Sequence, residues 1–273
     1  MADPEVIVDS GDVDMGAPDE LTQPVASIET AAGDDGEAAS GLGDAEQDLP
    51  PRAMFTDYLK SPVVELVIGT SEEQTTLTAH QGLLVRSPFF EQKCAQFADG
   101  TTSRRIELPT DDLGAISSFL EYLYRDDYFP QVKDNTLEPD PRAPSPDDGA
   151  TLLQHARIYT LAQRLAVPAL SALAHKKIHL TQSTARGEIA YARYVYKETS
   201  AEDKEIRRPV AAFWATRSHV LRHQAEDEFR RMCLEFPQFG FDVLSLVLDM
   251  HEKRSQRAEG SVGSARKRMR GPG

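Results

Sequence analysis

Seven histidines and two cysteines are the residues of this chain best suited to chemistry. His175 with His179, and His219 with His223, stand four residues apart. On a helix that spacing puts two imidazoles on one face, which is how zinc sites begin. Neither pair has the His-Glu-x-x-His arrangement, because Lys176 and Lys177 follow His175 while Val220 and Leu221 follow His219. Both pairs are expected as exposed helix residues without a metal. His80 has no nucleophile or proton partner nearby and is expected to hydrogen-bond backbone at a strand-to-helix junction. Cys94, behind Phe89 and Phe90, reads as a small core residue. Gly41-Leu42-Gly43 has no strand before it, and neither a Gly-Lys-Ser/Thr loop nor a Gly-x-Ser-x-Gly elbow occurs. The expectation is a non-enzyme with no catalytic residue, cofactor or metal.

The residues suited to binding proteins are of another kind. Trp214 and neighbouring Phe213 belong to the aromatic class that dominates interface hot spots, their plainer role being to pin a helical tail to the body. Tyr122 and Tyr124 flank Leu123 and are expected at the rim of the core, with hydroxyls reaching solvent. Near the end of the sequence, Arg266-Lys267-Arg268-Met269-Arg270 is a short basic run. It resembles a monopartite nuclear-import signal; a solvated charge run and non-specific nucleic-acid attraction are the other readings. With no interleaved aromatics and an acidic body, sequence-specific nucleic-acid binding is not expected.

Charge divides the chain. Residues 1–54 hold 14 acids against Arg52 alone, and residues 251–273 hold 7 bases against Glu252 and Glu259, within a net charge of −14. The first segment lacks aromatics and is nearly free of large apolar groups, so it cannot bury enough surface to offset the entropy of ordering. Residues 1–54 are therefore expected as a disordered acidic tail, solubilising or docking on a basic partner, and 253–273 as a disordered basic one. Two cysteines in separate apolar segments fit a reducing compartment. The opening Met1-Ala-Asp-Pro-Glu has no signal-peptide pattern, and no run approaches the length of a membrane span. A soluble intracellular protein, nuclear or cytoplasmic, is expected.

The elements that must position these residues start near Phe55. Val63–Ile68 and Thr75–Ala79 read as a hairpin around Gly69-Thr70-Ser71-Glu72. Leu83, Leu84 and Val85 mark a compact helical stretch, and Ser87-Pro88 starts another as N-cap and first residue. Arg105-Ile106-Glu107-Leu108 is a short strand ended by Pro109. Thr110 is expected to cap the following helix, whose apolar residues Leu113, Ile116, Phe119, Leu120 and Leu123 share one face. Residues 126–150, with five prolines and seven acids, read as an exposed, mobile insertion. Helices then run from Leu152 to Val167 and onward from Pro168. Beyond 180, helical patterns cover 181–252. The order β-β-α-α-β-α-insertion-α-α predicts an α+β domain in which helix predominates.

Several of these segments carry a family resemblance. Ser61–Gly69 resembles the first hairpin of BTB/POZ domains. Leu77-Thr-Ala-His80-Gln-Gly-Leu83-Leu84-Val-Arg-Ser87-Pro88-Phe89-Phe90 resembles that family's most recognisable stretch. Ile106-Glu-Leu108-Pro109, Phe119-Leu-Glu-Tyr122-Leu123-Tyr124 and Ile158-Tyr159-Thr160-Leu161-Ala162 are similar to its later motifs. Val63 stands where many members have Asp, and residues 181–250 do not resemble the kelch, MATH or zinc-finger partners of better-understood relatives. The resemblance implies a BTB/POZ fold over 55–180, a small three-stranded sheet flanked by helices, followed by a helical extension as in fungal members.

It also implies an adaptor or scaffold working through protein partners, with a homodimer among the expected assemblies. Some members recruit substrates to a cullin scaffold through a hydrophobic-x-Glu element before the third strand. Phe97-Ala98-Asp99 stands nearest to it, with Asp where Glu is usual. The other reading is a nuclear, transcription- or chromatin-associated scaffold whose acidic tail meets basic proteins, with no ubiquitin-ligase link.

Overall fold

The computed structural model describes residues 54–70, 72, 74–97, 103–139 and 148–268, with side chains to residue 257. The acidic tail up to residue 53 and Arg270 lie outside them. Strands β1 (Val63–Ile68) and β2 (Thr75–His80) pair antiparallel, Val63 opposite His80 and Ile68 opposite Thr75. Strand β3 (Arg105–Leu108) joins the other edge of β1 in parallel, giving the order β2-β1-β3. A parallel neighbour needs a crossover. Here α2 (Gln81–Leu84) and α3 (Pro88–Cys94) provide it, burying Leu83, Leu84, Phe90 and Cys94. In β3 the alternation is visible directly, Ile106 and Leu108 buried, Arg105 and Glu107 exposed.

Before the sheet lies α1 (Phe55–Lys60), a short helix with no buried residue. Ser61 fixes its end, its Oγ donating to the Tyr58 carbonyl (2.6 Å) and accepting from the Gly82 amide (2.8 Å). After the sheet come α4 (Leu113–Arg125), α5 (Ala150–Arg164) and α6 (Pro168–Leu180), the last two packed as a pair. The architecture is α+β, mostly helical with one small three-stranded sheet.

Two expected caps work differently. Asp112, not Thr110, caps α4, accepting from the Ala115 amide at 2.9 Å. Ser87 precedes α3, but its hydroxyl donates to the Leu165 carbonyl (2.6 Å) at the end of α5. A tertiary acceptor therefore replaces the local one.

The segment read as a wholly exposed insertion is partly built into the fold. Strands β4 (Val132–Lys133) and β5 (Thr136–Leu137) form a hairpin whose turn residues, Asp134 and Asn135, both have positive φ. Asn and Asp tolerate that conformation and the turn requires it. Tyr128 is fully buried, and Lys177 of α6 reaches it from below. The Lys177 ammonium, removed from solvent, donates to Asp127 Oδ1 (2.5 Å) and to the carbonyls of Tyr128 and Pro130 (the latter at 2.9 Å). It also lies 3.7 Å from the centre of the Tyr128 ring. Burial pulls its pKa down while Asp127 opposes that shift. The Tyr128 hydroxyl meets His155 Nδ1 at 3.0 Å, and burial, with Lys177 adding to it, holds His155 neutral at a pKa of about 3.

The extension comprises α7 (Ala185–Glu198), α8 (Lys204–Gln224), α9 (Glu226–Glu235) and α10 (Pro237–Arg268). It packs on the body: α7 lies on α5, α8 on α7, and α10 on α8. Where α5 and α7 begin, a Cβ on Gly149 would come within 2.4 Å of the Gly187 Cα, so both positions require glycine for the helices to meet. The backbone of α10 stays helical to Arg268, beyond the expected end at 252. No proline interrupts residues 253–268, where Lys, Arg, Gln and Ala are good helix formers.

Removing the Lys177 cation leaves two carbonyls and a carboxylate without their donor. Lys177→Met is expected to lower stability by about 3 kcal/mol, read as a melting point lower by roughly 6–12 °C in a domain of this size. Thermal unfolding followed by circular dichroism checks this; an unchanged midpoint would show that the ammonium contributes nothing net.

Candidate protein-interaction site

The motif residues converge on a corner formed by α1, α2 and the end of α4. His80 closes β2, and Tyr124 reaches it from the last turn of α4. The Tyr124 hydroxyl accepts from the His80 backbone amide (3.1 Å) and lies 2.7 Å from His80 Nδ1. The His80 ring thus meets a side-chain hydroxyl, where a backbone partner was expected. Next to it, Arg86 donates to the Leu123 carbonyl and to Asp126 Oδ1, both at 3.0 Å, closing the C-terminal end of α4. Asp126 has a φ of 56°, the left-handed conformation common after a helix.

These groups floor a cleft of about 610 Å³ lined by Met54, Phe55, Tyr58, Arg86, Leu123 and Tyr124. Met54 is 69% exposed and Phe55 51%; Leu59, one turn along α1, and Val63, at the start of β1, are exposed as well. Tyr124 is half-buried at this cleft with its hydroxyl engaged by His80, whereas the Tyr122 side chain is mostly buried and packs in the core.

Other expected binding residues are placed differently. Trp214 is fully buried, stacked on Phe229 at 5.3 Å and edge-on to Phe239 at 6.2 Å. The reading of it as a partner anchor is corrected: it centres the core of the extension, because its helix turns that face toward α9 and α10. Phe97 is half-buried with the Arg104 guanidinium 5.6 Å from its ring, and Arg104 also holds Gln81 Oε1 at 2.6 Å. Asp99 lies outside the described residues. Arg266, Lys267 and Arg268 fall on the last turns of α10, and Arg270 lies outside the description.

The histidine pairs diverge. His219 and His223 are both exposed on α8, whereas His175 and His179 bring their Nε2 atoms to 3.2 Å. His175 Nε2 is also 3.1 Å from the Glu205 carbonyl. Pro209 sits inside α8 and has no N–H, so the Glu205 carbonyl loses its helical donor. His175 supplies the substitute, which puts the proton on its Nε2 and makes His179 Nε2 an acceptor. Among the described residues no group of three His, Cys, Asp or Glu could hold a metal. Burial pushes the Cys94 thiol up, against the activation a nucleophile needs.

A polar seam joins body and extension. The Tyr159 hydroxyl bonds the Asp203 carboxylate (3.2 Å), Gln163 Nε2 donates to the same group (2.9 Å), and the Thr160 and Tyr194 hydroxyls meet at 2.7 Å. Nearby, Glu188 lines a small cavity with His179, Tyr191, Pro209 and Phe213. The residues missed from sequence, Lys177, His155 and Glu188, had one signal. Lys177 falls three residues after Ala174 and seven after Leu170, on the buried face of its helix.

No protein-family model matches the chain, and no curated protein matches it significantly. Among the described residues no helix is long and apolar enough to cross a membrane.

Glu188 gives a pH signature. Burial pushes its pKa from the ordinary 4.5 up to about 7, with the Arg217 charge opposing. The folded state therefore retains a proton that the unfolded chain releases, so this contribution is full below pH 4.5 and is lost as pH rises through about 7. Glu188→Gln is expected to remove that part of the decline, on the order of 3 kcal/mol between the two limits. Denaturant melts of both proteins across this range check it; parallel pH profiles would contradict it.

Proposed function

We propose that this chain is a protein-interaction adaptor of the BTB/POZ type that self-associates through the surface of α1. The observation that carries the reading is the exposure of Phe55 and Leu59 on α1, a helix with no buried residue, and of Met54 directly before it. Large apolar groups clustered on a surface mark interaction sites. The order of the sheet and helices supports the family reading, since a hairpin, two short helices, a parallel third strand and then α4 to α6 follow the order its motifs imply. The engaged His80–Tyr124 pair and the burial of Cys94, which pushes its thiol up, fit structural roles for these three residues.

Within this reading the adaptor links a target to a cullin scaffold, with Phe97 at the contact. Phe97 retains exposed surface and sits directly before the segment leading to β3. The alternative, a nuclear scaffold without a ligase link, draws on the charged ends of the sequence. Affinity purification of the tagged full-length protein from its native cells, with mass spectrometry, separates the two. The adaptor reading expects a cullin scaffold in the wild-type eluate and its loss with Phe97→Ala. Nuclear proteins without a cullin in both samples would retire the ligase link and favour the alternative.

A further inference from the structure

The extension carries a second uncovered surface, on helices distant in sequence from α1. Between the first turns of α8 and the early turns of α10 lies a groove of about 310 Å³. Ala211, Phe241 and Leu246 give it an apolar lining, and Lys204, Arg207 and Arg208 supply its cations. Phe241 is 66% exposed, and Leu244 and Leu248 continue the exposed apolar row along α10 at the i, i+3, i+7 spacing of one helical stripe.

The charges at this groove are unbalanced. Its one carboxylate, Asp242, is already engaged, accepting from the Tyr196 hydroxyl (2.7 Å) and from Gln238 Nε2 (2.6 Å). The Arg207 guanidinium is held by the carbonyls of Tyr196 and Thr199 and lies 4.8 Å from the Tyr196 ring. Lys204 and Arg208 are exposed, and neither pairs with a carboxylate among the described residues. A protein of net charge −14 thus carries an uncompensated basic rim beside a solvent-facing Phe and Leu row.

We infer that this groove docks an acidic amphipathic segment of a partner protein, its apolar side chains on Phe241, Leu244 and Leu248 and its carboxylates on Lys204 and Arg208. Complementary charge selects that class over a basic or neutral segment. It also argues against a second copy of this chain, because a two-fold contact would set the same cations against themselves. The inference is independent of self-association through α1: one surface assembles the protein and the other receives a target.

Fluorescence anisotropy of the full-length protein with short labelled synthetic peptides tests this. The probe is a Glu/Asp peptide with Leu at i, i+3 and i+7; one control has Ser for each Leu and another Lys for each acid. The acidic leucine peptide is expected to bind, and the controls to bind at least about tenfold more weakly. Lys204→Glu with Arg208→Glu, and separately Phe241→Ser, should each weaken the probe by about tenfold or more. All three side chains are exposed, and far-ultraviolet circular dichroism verifies that the variants fold. No binding by the probe, equal binding by the Ser control, or affinity unchanged in the variants would overturn the inference. A Phe241→Ser protein whose mass halves in sedimentation would overturn it too, by assigning the groove to a second copy.

Discussion

A lysine ammonium cannot be taken out of water unless every direction it faces offers compensation, and Lys177 meets that demand with a carboxylate, two carbonyls and the face of a tyrosine ring. Its partners all come from residues 127–130, a stretch that composition alone marks as loop. The one charge therefore fixes how the chain leaves α4, brings Tyr128 into the core, and sets the hydroxyl of Tyr128 on His155 of α5. Because Lys177 itself belongs to α6, these contacts tie three helices to a segment that would otherwise be solvent-facing. The same cation helps keep His155 neutral, so the buried imidazole acts as an uncharged acceptor or donor and brings no second charge into the core.

The α5–α6 pair fixed in this way is the platform for the extension. Tyr159, Thr160 and Gln163 lie along α5 and meet Asp203 and Tyr194, while glycines at 149 and 187 let the starts of α5 and α7 approach backbone to backbone. Pro209 opens a gap in the hydrogen bonding of α8, and His175 of α6 fills it through the Glu205 carbonyl. A residue pair that looks like half a metal site is thereby explained by the donor a proline lacks. The aromatic cluster of Trp214, Phe229 and Phe239 then closes α8, α9 and α10 on one another.

The strands, the two short helices after them and the amphipathic face of α4 were legible because each follows from a local period: alternation in β3, a helical stripe in α4, proline at the start of α6. What escaped was set by partners distant in sequence. The Ser87 hydroxyl goes to Leu165 and not to its own helix, and the burial of Trp214 depends on α9 and α10 folding over it. Lys177 was partly legible, standing on the buried side of an apolar pattern, but nothing local identified Asp127 and two carbonyls as its partners. Of the candidate binding residues, Tyr124 lies at an open cleft and Phe97 keeps a half-exposed ring, while Tyr122 and Trp214 belong to the core.

Taken together, one end of the body exposes apolar groups that its own packing leaves uncovered, next to a cleft lined by Tyr58, Arg86 and Tyr124. On association those apolar side chains gain by leaving water. The most direct test is the mass of the full-length protein by sedimentation equilibrium at micromolar concentration, alongside a variant with Phe55→Glu and Leu59→Glu. The account predicts the mass of two chains for the wild type and of one for the variant. The mass of one chain for the wild type, or of two for both, would contradict self-association through α1.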